Sequence, residues 1–522
     1  MIQGRSSLLA SAQLSPLTFL ILLGKDGLKQ MNILLIYPEF PDTFWSFKHA
    51  LKLAHKKASS PPLGLLTVAA ILPAEWHKRL IDLNVSKLTA KDLQWADAVL
   101  VSAMLVQKEA TRQVITRCRK AGVQIIAGGP LFTTEHEQFE DVDHFVLNEA
   151  ELTLPGFLAD LAQGKAKRVY ATAAFVDLKT SPTPLWELAD RRRYASMSLQ
   201  YSRGCPFHCE FCNVTTLFGH QPRVKSTPQI LAELDSLYDL GWRGSIFFVD
   251  DNFIGNKRHL KTDLLPALIA WRETRKGLAF YTETSINLAD DEHLVEMMVQ
   301  AGFDTVFIGI ETPSEAGLAE AGKLHNRNRD LLADVKRLQR AGLQVQGGFI
   351  VGFDSDTPGI FQAQIDFIQN SGIATAMVGL LQALPGTTLY ERLKQEGRLV
   401  ADATGDNVSM ASNILPAMGL ESLTEGYQRI LRTIYSPKNY YRRVKTFLQE
   451  YPAPRLRTSL SLHYKMAFIH ASYRLGLFGR ERFQFWKVIL WTLFTRPKLL
   501  SQAVTLAIYG YHFRIICKRY IL

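Results

Sequence analysis

Short apolar runs alternate with amphipathic segments from residue 31 to about residue 170. The runs Asn32–Tyr37, Arg79–Leu83, Ala98–Ser102, Gln124–Ala127 and His144–Leu147 have the length of strands. Between them, Leu63–Leu72 and Thr111–Lys120 have the spacing of helices. This alternation predicts a doubly wound parallel sheet, in which ligands bind beyond the carboxyl ends of the strands.

A second series of strands and helices follows a linker rich in Thr, Pro and Ser at 180–184. Its six predicted strands are Ser198–Ser202, Ser245–Asp250, Phe280–Ser285, Thr305–Ile310, Val345–Val351 and Ala376–Leu381. Two of the intervening helices end at Gly302 and Gly342, as expected of C-terminal caps. Six such units predict a partial (β/α)6 barrel with its chemistry at the carboxyl ends of the strands. After about residue 400, helical patterns dominate.

The pattern divides the chain into four predicted parts: a leader at 1–30, the sheet domain at 31–170, the barrel at 185–400 and a helical region at 401–522. The leader contains an apolar run at 17–23 without a clear small-residue cleavage site, and Met31 opens the first strand. We therefore expect the leader to be disordered or to come from an overlong start. We also expect the protein to stay in the cytoplasm.

The composition is that of a globular protein, because 47% of the 522 residues are hydrophobic and 21% are charged. That balance excludes disordered and collagen-like chains. Five cysteines are too few for a disulfide framework, so a secreted, disulfide-stapled protein is excluded as well.

The formal net charge of +11 is concentrated at the end of the chain. Residues 438–522 carry 16 Lys and Arg against two Glu, a net +14, which leaves −3 for the first 437 residues. The same region holds the aromatic residues Phe485, Trp486, Trp491, Phe494, Tyr509, Tyr511 and Phe513. Two interpretations remain open: contact with an anionic membrane surface, or a helical domain with a solvated basic face.

Two further partners are not expected from the same region. The apolar stretches Val488–Phe494 and Leu499–Tyr511 are interrupted or too short for the roughly 20 residues of a bilayer span. Nucleic acid is not expected as a partner, because the body of the chain is near neutral and carries no recognised binding motif.

The most specific chemical signal is the segment Tyr201-Ser-Arg-Gly-Cys-Pro-Phe-His-Cys-Glu-Phe-Cys212. Its thiols, Cys205, Cys209 and Cys212, suit an iron–sulfur cluster or zinc. Structural zinc normally takes four protein ligands, and Cys118 and Cys517 are poorly placed to supply the fourth. Three ligands to a four-iron cluster would instead leave one iron open to a substrate.

The Cys-x3-Cys-x2-Cys spacing, with Phe211 before the last cysteine, resembles that of the radical S-adenosylmethionine enzymes. In that family the open iron binds S-adenosylmethionine, and reductive cleavage yields a 5′-deoxyadenosyl radical that abstracts hydrogen from the substrate. The resemblance covers about residues 195–390. It implies a [4Fe-4S] cluster and a low-potential electron donor such as flavodoxin or ferredoxin.

The resemblance extends to residues at the ends of later strands. The positions that it assigns to cofactor binding are Phe211, Asp250, Asp251, Asn252, Ser285, Glu311, Gly348, Ile350 and Gly352. The three residues 250–252 take the place of the motif that holds the methionine amino group, and the strand at 348–352 matches the one that stacks on adenine. The simpler alternatives are that Asp251 or Asn252 caps the next helix and that the glycines mark a bulge.

The first domain resembles the cobalamin-binding domain that precedes the barrel in one radical branch. This resemblance rests on its position, its sheet pattern and the segments Pro61-Pro-Leu-Gly64 and Ala127-Gly-Gly-Pro130. The motif Asp-x-His-x-x-Gly is absent, and His49 and His55 are lone histidines, which are seldom ligands. Many radical methylases of this branch lack that motif, so we expect cobalamin to bind. A purely structural domain is the alternative.

The whole arrangement is similar to a subfamily that includes hopanoid methylases and archaeal tetraether-lipid ring-forming enzymes. It implies C-methylation of an unactivated carbon of a lipid or isoprenoid. The basic, aromatic tail would fit such a substrate, because an enzyme peripheral at the inner face of the membrane could draw a lipid from the bilayer. Tyr201, Tyr281 and Glu283 would line the substrate pocket, and no catalytic residue is assigned. The alternatives are ring or other C–C bond formation without methyl transfer, and a non-catalytic, metal-stabilised membrane scaffold.

Overall fold

The computed structural model describes residues 30–406, 408, 410, 412–452 and 462–522. The predicted leader therefore falls outside the described residues, except for its last position. Two parallel sheets, followed by a group of helices, account for the architecture.

The first sheet contains six strands: β1 Asn32–Tyr37, β2 His77–Asp82, β3 Ala98–Ser102, β4 Gln124–Gly128, β5 His144–Val146 and β6 Val169–Tyr170. All neighbours pair in parallel in the order β2-β1-β3-β4-β5-β6. The inner strands are runs of Ile, Leu and Val that are buried on both faces. The prediction of a doubly wound sheet is confirmed, and the order reverses between β1 and β3, where such sheets bind ligands.

Six helices accompany this sheet: α1 Lys48–Leu53, α2 Leu63–Ile71, α3 Ala90–Trp95, α4 Lys108–Lys120, α5 Pro130–Glu135 and α6 Ala150–Ala162. Helix α4 buries one apolar stripe, which includes Cys118, against the sheet. That cysteine therefore belongs to the core of the first domain.

The second sheet begins with β7 Ser196–Leu199 and a short antiparallel pair, β8 Ser202–Arg203 with β9 Arg223–Val224. It continues with β10 Ser245–Phe248, β11 Ala279–Thr284, β12 Phe303–Glu311, β13 Gln344–Val351 and β14 Ala376–Leu380. The strands lie in chain order, all parallel, and β7 and β14 form the two edges. This is the predicted partial (β/α)6 barrel.

The first barrel strand was predicted at Ser198–Ser202, and this boundary is wrong. The strand ends at Leu199 because the backbone N–H groups of Tyr201 and Ser202 donate to Asp250 instead of a neighbouring strand. The chain thus leaves the sheet three residues earlier than its apolar pattern indicates.

Nine helices accompany the barrel: α7 Val214–Phe218, α8 Thr227–Asp239, α9 Lys257–His259, α10 Leu265–Thr274, α11 Glu292–Ala301, α12 Glu315–Glu320, α13 Leu331–Ala341, α14 Ile360–Ser371 and α15 Thr388–Gln395. As predicted, α11 and α13 end in left-handed caps at Gly302 and Gly342.

The C-terminal region consists of α16 Leu420–Ile434, α17 Pro437–Glu450, α18 Leu462–Ala471, α19 Arg482–Thr495 and α20 Leu500–Ile516. These helices share one hydrophobic core with the barrel. Helix α20 also reaches the first domain, where Phe513 packs on Phe44 with ring centroids 5.3 Å apart. His512 Nε2 donates to the Phe44 carbonyl oxygen at 3.1 Å. No helix in the described parts of the chain has the length and apolar character needed to cross a membrane.

Candidate functional site

The three cysteines lie on the loop between β8 and α7, beyond the carboxyl end of β7. Backbone bonds fix this loop: the Cys205 N–H donates to the Gly219 carbonyl at 3.3 Å and the Cys212 N–H to the Cys209 carbonyl at 3.1 Å. All three thiols remain partly accessible. Burial raises the pKa of each thiol, and that of Cys212 reaches about 11.

The donor set fits a multi-iron cluster better than a single zinc ion. Cys118 and Cys517 are buried elsewhere, so neither supplies a fourth thiolate. An iron–sulfur cluster needs one thiolate at each ligated iron, and three separate thiols on one loop meet that need.

The aspartates after β10 shape the start of the cysteine loop. Asp250 is buried, and its carboxylate accepts the N–H groups of Tyr201, at 3.3 Å, and Ser202. Asp251 accepts the Gly204 N–H at 3.0 Å. Burial raises the pKa of Asp250 to about 7, against the opposing effect of these N–H donors. Both carboxylates therefore hold the backbone immediately before Cys205.

Asn252 and Ser285 join the ends of β10 and β11. The Ser285 N–H and hydroxyl donate to Asn252 Oδ1 at 3.2 and 3.3 Å. Asn252 makes no side-chain bond to the helical turn that follows it, and the Asp251 side chain is bonded to Gly204. The described contacts of these two residues are thus not those of helix caps.

Glu311 ends β12 in an unusual backbone conformation, with φ of 63°. Its carboxylate pairs with the ammonium group of Lys323, and both side chains are almost buried. The pairing of β12 with β13 shifts register between Gly309 and Glu311, and Asn326 Nδ2 donates to the Gly309 carbonyl at 3.0 Å. Non-glycine residues rarely adopt this φ, and they do so most often at functional sites.

In the predicted adenine-stacking segment, Gly348 lies within β13 and Gly352 follows directly after it, and the two glycines are needed for different structural reasons. A Cβ on Gly348 would lie 2.9 Å from the Phe307 ring, so this strand position must stay small. Gly352 has φ of 110°, and its N–H donates to Asp356 at 2.9 Å. Ile350 packs in one small apolar cluster with Phe211, which places the cysteine loop against this strand.

A cavity of about 3410 Å³ connects the ligand edge of the first sheet with the carboxyl ends of the barrel strands. Its lining from the first domain includes Ser102, Met104, Gly128, Gly129, Asn148 and the segment 61–64. From the barrel it includes Asp250, Asp251, Tyr281 and Glu283. This volume is several times the roughly 300–1,000 Å³ of a usual small-molecule pocket, so the cavity has room for more than one bound group.

Gly128 and Gly129 bring three strand ends of the first sheet close together. A Cβ on Gly129, whose φ is 87°, would lie 2.5 Å from Ser102 Oγ, and one on Gly128 would lie 2.5 Å from the Val146 carbonyl oxygen. No histidine is among the described residues that line the cavity. His49 pairs with Asp42 at 2.7 Å, and His55 packs edge-on against His470 with ring centroids 4.8 Å apart, so both histidines are engaged elsewhere.

Of the three predicted pocket residues, Tyr281 and Glu283 line the cavity and Tyr201 does not. The prediction for Tyr201 is wrong, because its ring is fully buried between Phe253 and His259 and its hydroxyl bonds His259 Nδ1 at 2.9 Å. The carboxyl group of Glu283 has no hydrogen-bond partner among the described residues, although its backbone is paired within the sheet. Burial and the neighbouring carboxylates of Asp250 and Asp251 raise the pKa of Glu283 to about 8.

Comparison with known proteins identifies the protein families to which these regions of the chain are similar. Residues 199–368 match the radical SAM superfamily, residues 53–158 match the B12 binding domain, and residues 387–521 match a domain of unknown function. An uncharacterized methyltransferase from Synechocystis sp. is 39% identical over 92% of this chain and 91% of its own. The hopanoid C-2 methylase of Rhodopseudomonas palustris is 34% identical over 89% of this chain and 90% of its own.

The chain belongs to the cobalamin-dependent radical S-adenosylmethionine methylase family. Solved structures agree in fold: the radical enzyme OxsB with aqua-cobalamin bound superimposes with a TM-score of 0.58 at 15% identity, over 94% of this chain and 80% of its own. The methyltransferase TsrM of Kitasatospora setae, with cobalamin and a [4Fe-4S] cluster bound, gives 0.56 at 14% identity, over 87% and 98%.

This radical S-adenosylmethionine enzyme is a C-methyltransferase whose cofactors are a [4Fe-4S] cluster, S-adenosylmethionine and cobalamin.

Two groups of site residues were missed in the sequence. The first is Lys323, which follows Glu311 by twelve residues. The two side chains meet only because the chain turns back after β12, and no sequence pattern indicates that turn. The other is a bridge between the domains, in which Arg203 donates to Glu149 at 2.8 Å and to Glu151 at 3.1 Å. Arg203 lies inside the cysteine motif, but its partners are about 50 residues away.

Proposed function

We propose that the enzyme methylates an unactivated carbon of a polycyclic isoprenoid lipid of the hopanoid type. The observation that carries the proposal is the single cavity onto which both the ligand edge of the first sheet and the residues behind the cysteine loop open. The similarity to the hopanoid C-2 methylase over nine-tenths of both chains supports the substrate class.

We assign roles to the chain's own residues as part of this proposal. Cys205, Cys209 and Cys212 hold the cluster, and Asp250 and Asp251 fix the loop that presents them. Positions that would hold S-adenosylmethionine are Phe211, Asn252, Ser285, Glu311, Gly348, Ile350 and Gly352, together with the same two aspartates. When bound, these cofactors supply a 5′-deoxyadenosyl radical and a methyl group. The protein's own contribution is to orient the substrate and to exclude water from the reacting carbon.

We also propose the partners and location of the enzyme. A low-potential carrier such as flavodoxin or ferredoxin supplies the electron for cleavage of S-adenosylmethionine. The enzyme works in the cytoplasm, peripheral at the inner face of the membrane, where a lipid substrate is available.

The test is anaerobic reconstitution with iron, sulfide and cobalamin, followed by reaction with methyl-labelled S-adenosylmethionine, a low-potential reductant and a hopanoid dispersed in detergent. We expect bound iron, bound corrinoid, 5′-deoxyadenosine and a labelled lipid that has gained one methyl group. The variant Cys209→Ala serves as the control and is expected to form neither 5′-deoxyadenosine nor the labelled lipid.

Three outcomes would contradict the proposal. Cleavage of S-adenosylmethionine with an unlabelled, ring-closed lipid would favour C–C bond formation without methyl transfer. Labelled product only from a water-soluble acceptor would exclude the lipid class. No iron and no cleavage from well-folded protein would favour a metal-stabilised scaffold.

A further inference from the structure

Helices α18 and α19 and the turn between them expose large apolar side chains on their outer surface. Phe478, Phe483 and Phe494 are 68%, 74% and 80% exposed, respectively. The remaining exposed apolar residues of this segment are Met466, Ile469, Tyr473, Leu477, Leu490 and Leu493. We call these nine residues, with the basic residues named below, the aromatic–basic face. Within this set, Tyr473 and Phe478 pack against each other with ring centroids 4.9 Å apart, and clusters of exposed apolar side chains usually mark an interaction site.

The exposed positions follow the period of the helix. On α19, Phe483, Leu490 and Phe494 lie on one side together with Lys487. The opposite side of the same helix is buried in the core through Phe485, Val488, Ile489 and Thr492. Helix α19 is therefore apolar on both sides, although one side faces solvent, and an ordinary surface helix would present polar residues there.

The charged residues on this face are all basic. Arg474, Arg480, Arg482, Lys487 and Lys498 are exposed. The single acidic residue from 451 to 522 is Glu481, which is buried and paired with Arg514 at 2.6 Å. By contrast, Arg443 is fully buried and donates to the carbonyl oxygens of Ile434 and Ala374. Some of the positive charge of the tail is thus structural. Of the nine Lys and Arg that the structure describes as exposed in the tail, five lie at 474–498 beside the exposed aromatic rings, and the others are Lys438, Arg442, Lys518 and Arg519.

We infer that the aromatic–basic face docks the enzyme on an anionic lipid bilayer and surrounds the entrance through which the lipid substrate reaches the cavity. Aromatic and aliphatic side chains that insert at the headgroup boundary, flanked by Lys and Arg without acids, complement an anionic membrane in both hydrophobicity and charge. The entrance part of this inference rests on the proposed lipid substrate, and the docking part does not.

The same helices form a wall of the cavity. Ala467 and Phe468, on the inner side of α18, line it. Pro497 and Lys498, at the end of α19, also line it and are exposed, so the cavity reaches the surface there. A bilayer against the aromatic–basic face would therefore lie beside this opening, and a lipid would need no aqueous path.

The experiment measures co-sedimentation of the holoenzyme with vesicles of phosphatidylcholine alone or with added phosphatidylglycerol. We expect binding to the anionic vesicles that weakens with salt. The variant Phe483→Asp/Phe494→Asp should bind at least about tenfold more weakly, because two exposed rings that would insert into the bilayer are lost. Lys487→Glu should weaken binding to anionic vesicles only. The matched controls are Val400→Asp and Lys394→Glu, which change exposed residues elsewhere.

Cleavage of S-adenosylmethionine and methylation of a detergent-dispersed hopanoid are measured for every variant, so failures can be told apart. Docking is supported if the face variants lose vesicle binding and methylation of vesicle-embedded hopanoid but keep methylation in detergent. Docking is overturned if the wild type does not bind vesicles, if the controls lose binding equally, or if the face proves buried between two copies of the chain in solution. If the wild type itself does not methylate the detergent-dispersed hopanoid, the proposed function is overturned. Vesicle binding would then still decide the docking part of the inference.

Discussion

The buried ion pair between Glu311 and Lys323 lies beside the cysteine loop. Among the described residues, neither side chain forms an ion pair with any other residue. Replacing Lys323 by Met leaves a carboxylate buried and unpaired. We expect the free energy of unfolding of the apoprotein to fall by about 3–5 kcal/mol. The double variant Glu311→Gln/Lys323→Met should recover most of that loss, since it removes both charges.

Urea unfolding of the single and double variants checks this prediction, with Lys394→Met, an exposed lysine on α15, as the control. The prediction fails if Lys323→Met is no less stable than the control. It also fails if the double variant is as unstable as Lys323→Met.

Glu283 makes the stability of the fold depend on pH. Because burial raises the pKa of Glu283 from 4.5 to about 8, the folded state binds a proton that the unfolded state releases, and stability falls as pH rises between these values. Each pH unit in that window is worth at most about 1.4 kcal/mol. Glu283→Gln removes this titration, so we expect its stability relative to the wild type to rise with pH.

Thermal unfolding of the wild type and Glu283→Gln across this pH range tests the sign of that dependence. Asp250, with a pKa of about 7, also titrates in this range and is coupled to Glu283, so the test rests on the sign of the difference and not on its size. A difference that does not change with pH would refute the protonated form of Glu283 in the folded state.

At the scale of residues, the sequence was sufficient where a spacing carries the chemistry. The three cysteines lie on one loop because their separations are local, as predicted. Lys323 and Arg203 were missed because each acts through a partner that only the folded chain brings near. Tyr201 was misjudged because its ring turns toward His259, away from the cavity, and no pattern in the sequence specifies that direction. The roles toward S-adenosylmethionine remain predictions.

At the scale of elements, the loop before Cys205 depends on two carboxylates at the end of β10. We expect Asp251→Ala to free the Gly204 N–H, loosen the cysteine loop and lower the iron bound per chain at least about twofold. Asp402→Ala is the control, since Asp402 is an exposed side chain far along the chain. Iron analysis measures the bound cluster, and circular dichroism checks that the variant is folded. A folded Asp251→Ala protein with full iron content would contradict the prediction.

Strands and helices with a clear period were predicted within a few residues, including β10, β13 and α13. The strand β6 and the pair β8–β9 were not, because two residues are too few to show an alternation. The end of β7 was misplaced because backbone bonds to Asp250 compete with the sheet. The domain limits at 31–170, 185–400 and 401–522 remain predictions.

At the scale of the whole molecule, α20 attaches the first domain to the helices that cover the barrel. Phe513 is fully buried against Phe44 and stacks on Tyr435 at 5.2 Å. We expect Phe513→Ala to lower the free energy of unfolding by about 3–5 kcal/mol through the cavity it leaves. Phe494→Ala, in the same region but 80% exposed, should have little effect on stability.

Chemical unfolding and limited proteolysis of the two variants make this comparison. Early cleavage between the first domain and the barrel in Phe513→Ala would identify α20 as the attachment. Equal stability of the two variants would refute it, and a large loss in Phe494→Ala would show that the exposed face also supports the fold.

The bridge from Arg203 to Glu149 and Glu151 has a consequence for how the two domains can be recombined. Arg223 also donates to Glu149, at 2.9 Å, so two cations around the cysteine loop are neutralised by carboxylates that belong to the first domain. A chimera that takes residues 31–170 from a distant relative must therefore bring matching acids at both positions. Without those acids, the guanidinium groups of Arg203 and Arg223 would be left unpaired in the chimera. The interface between the two domains would then be weakened at the place where the cofactors of both domains have to meet.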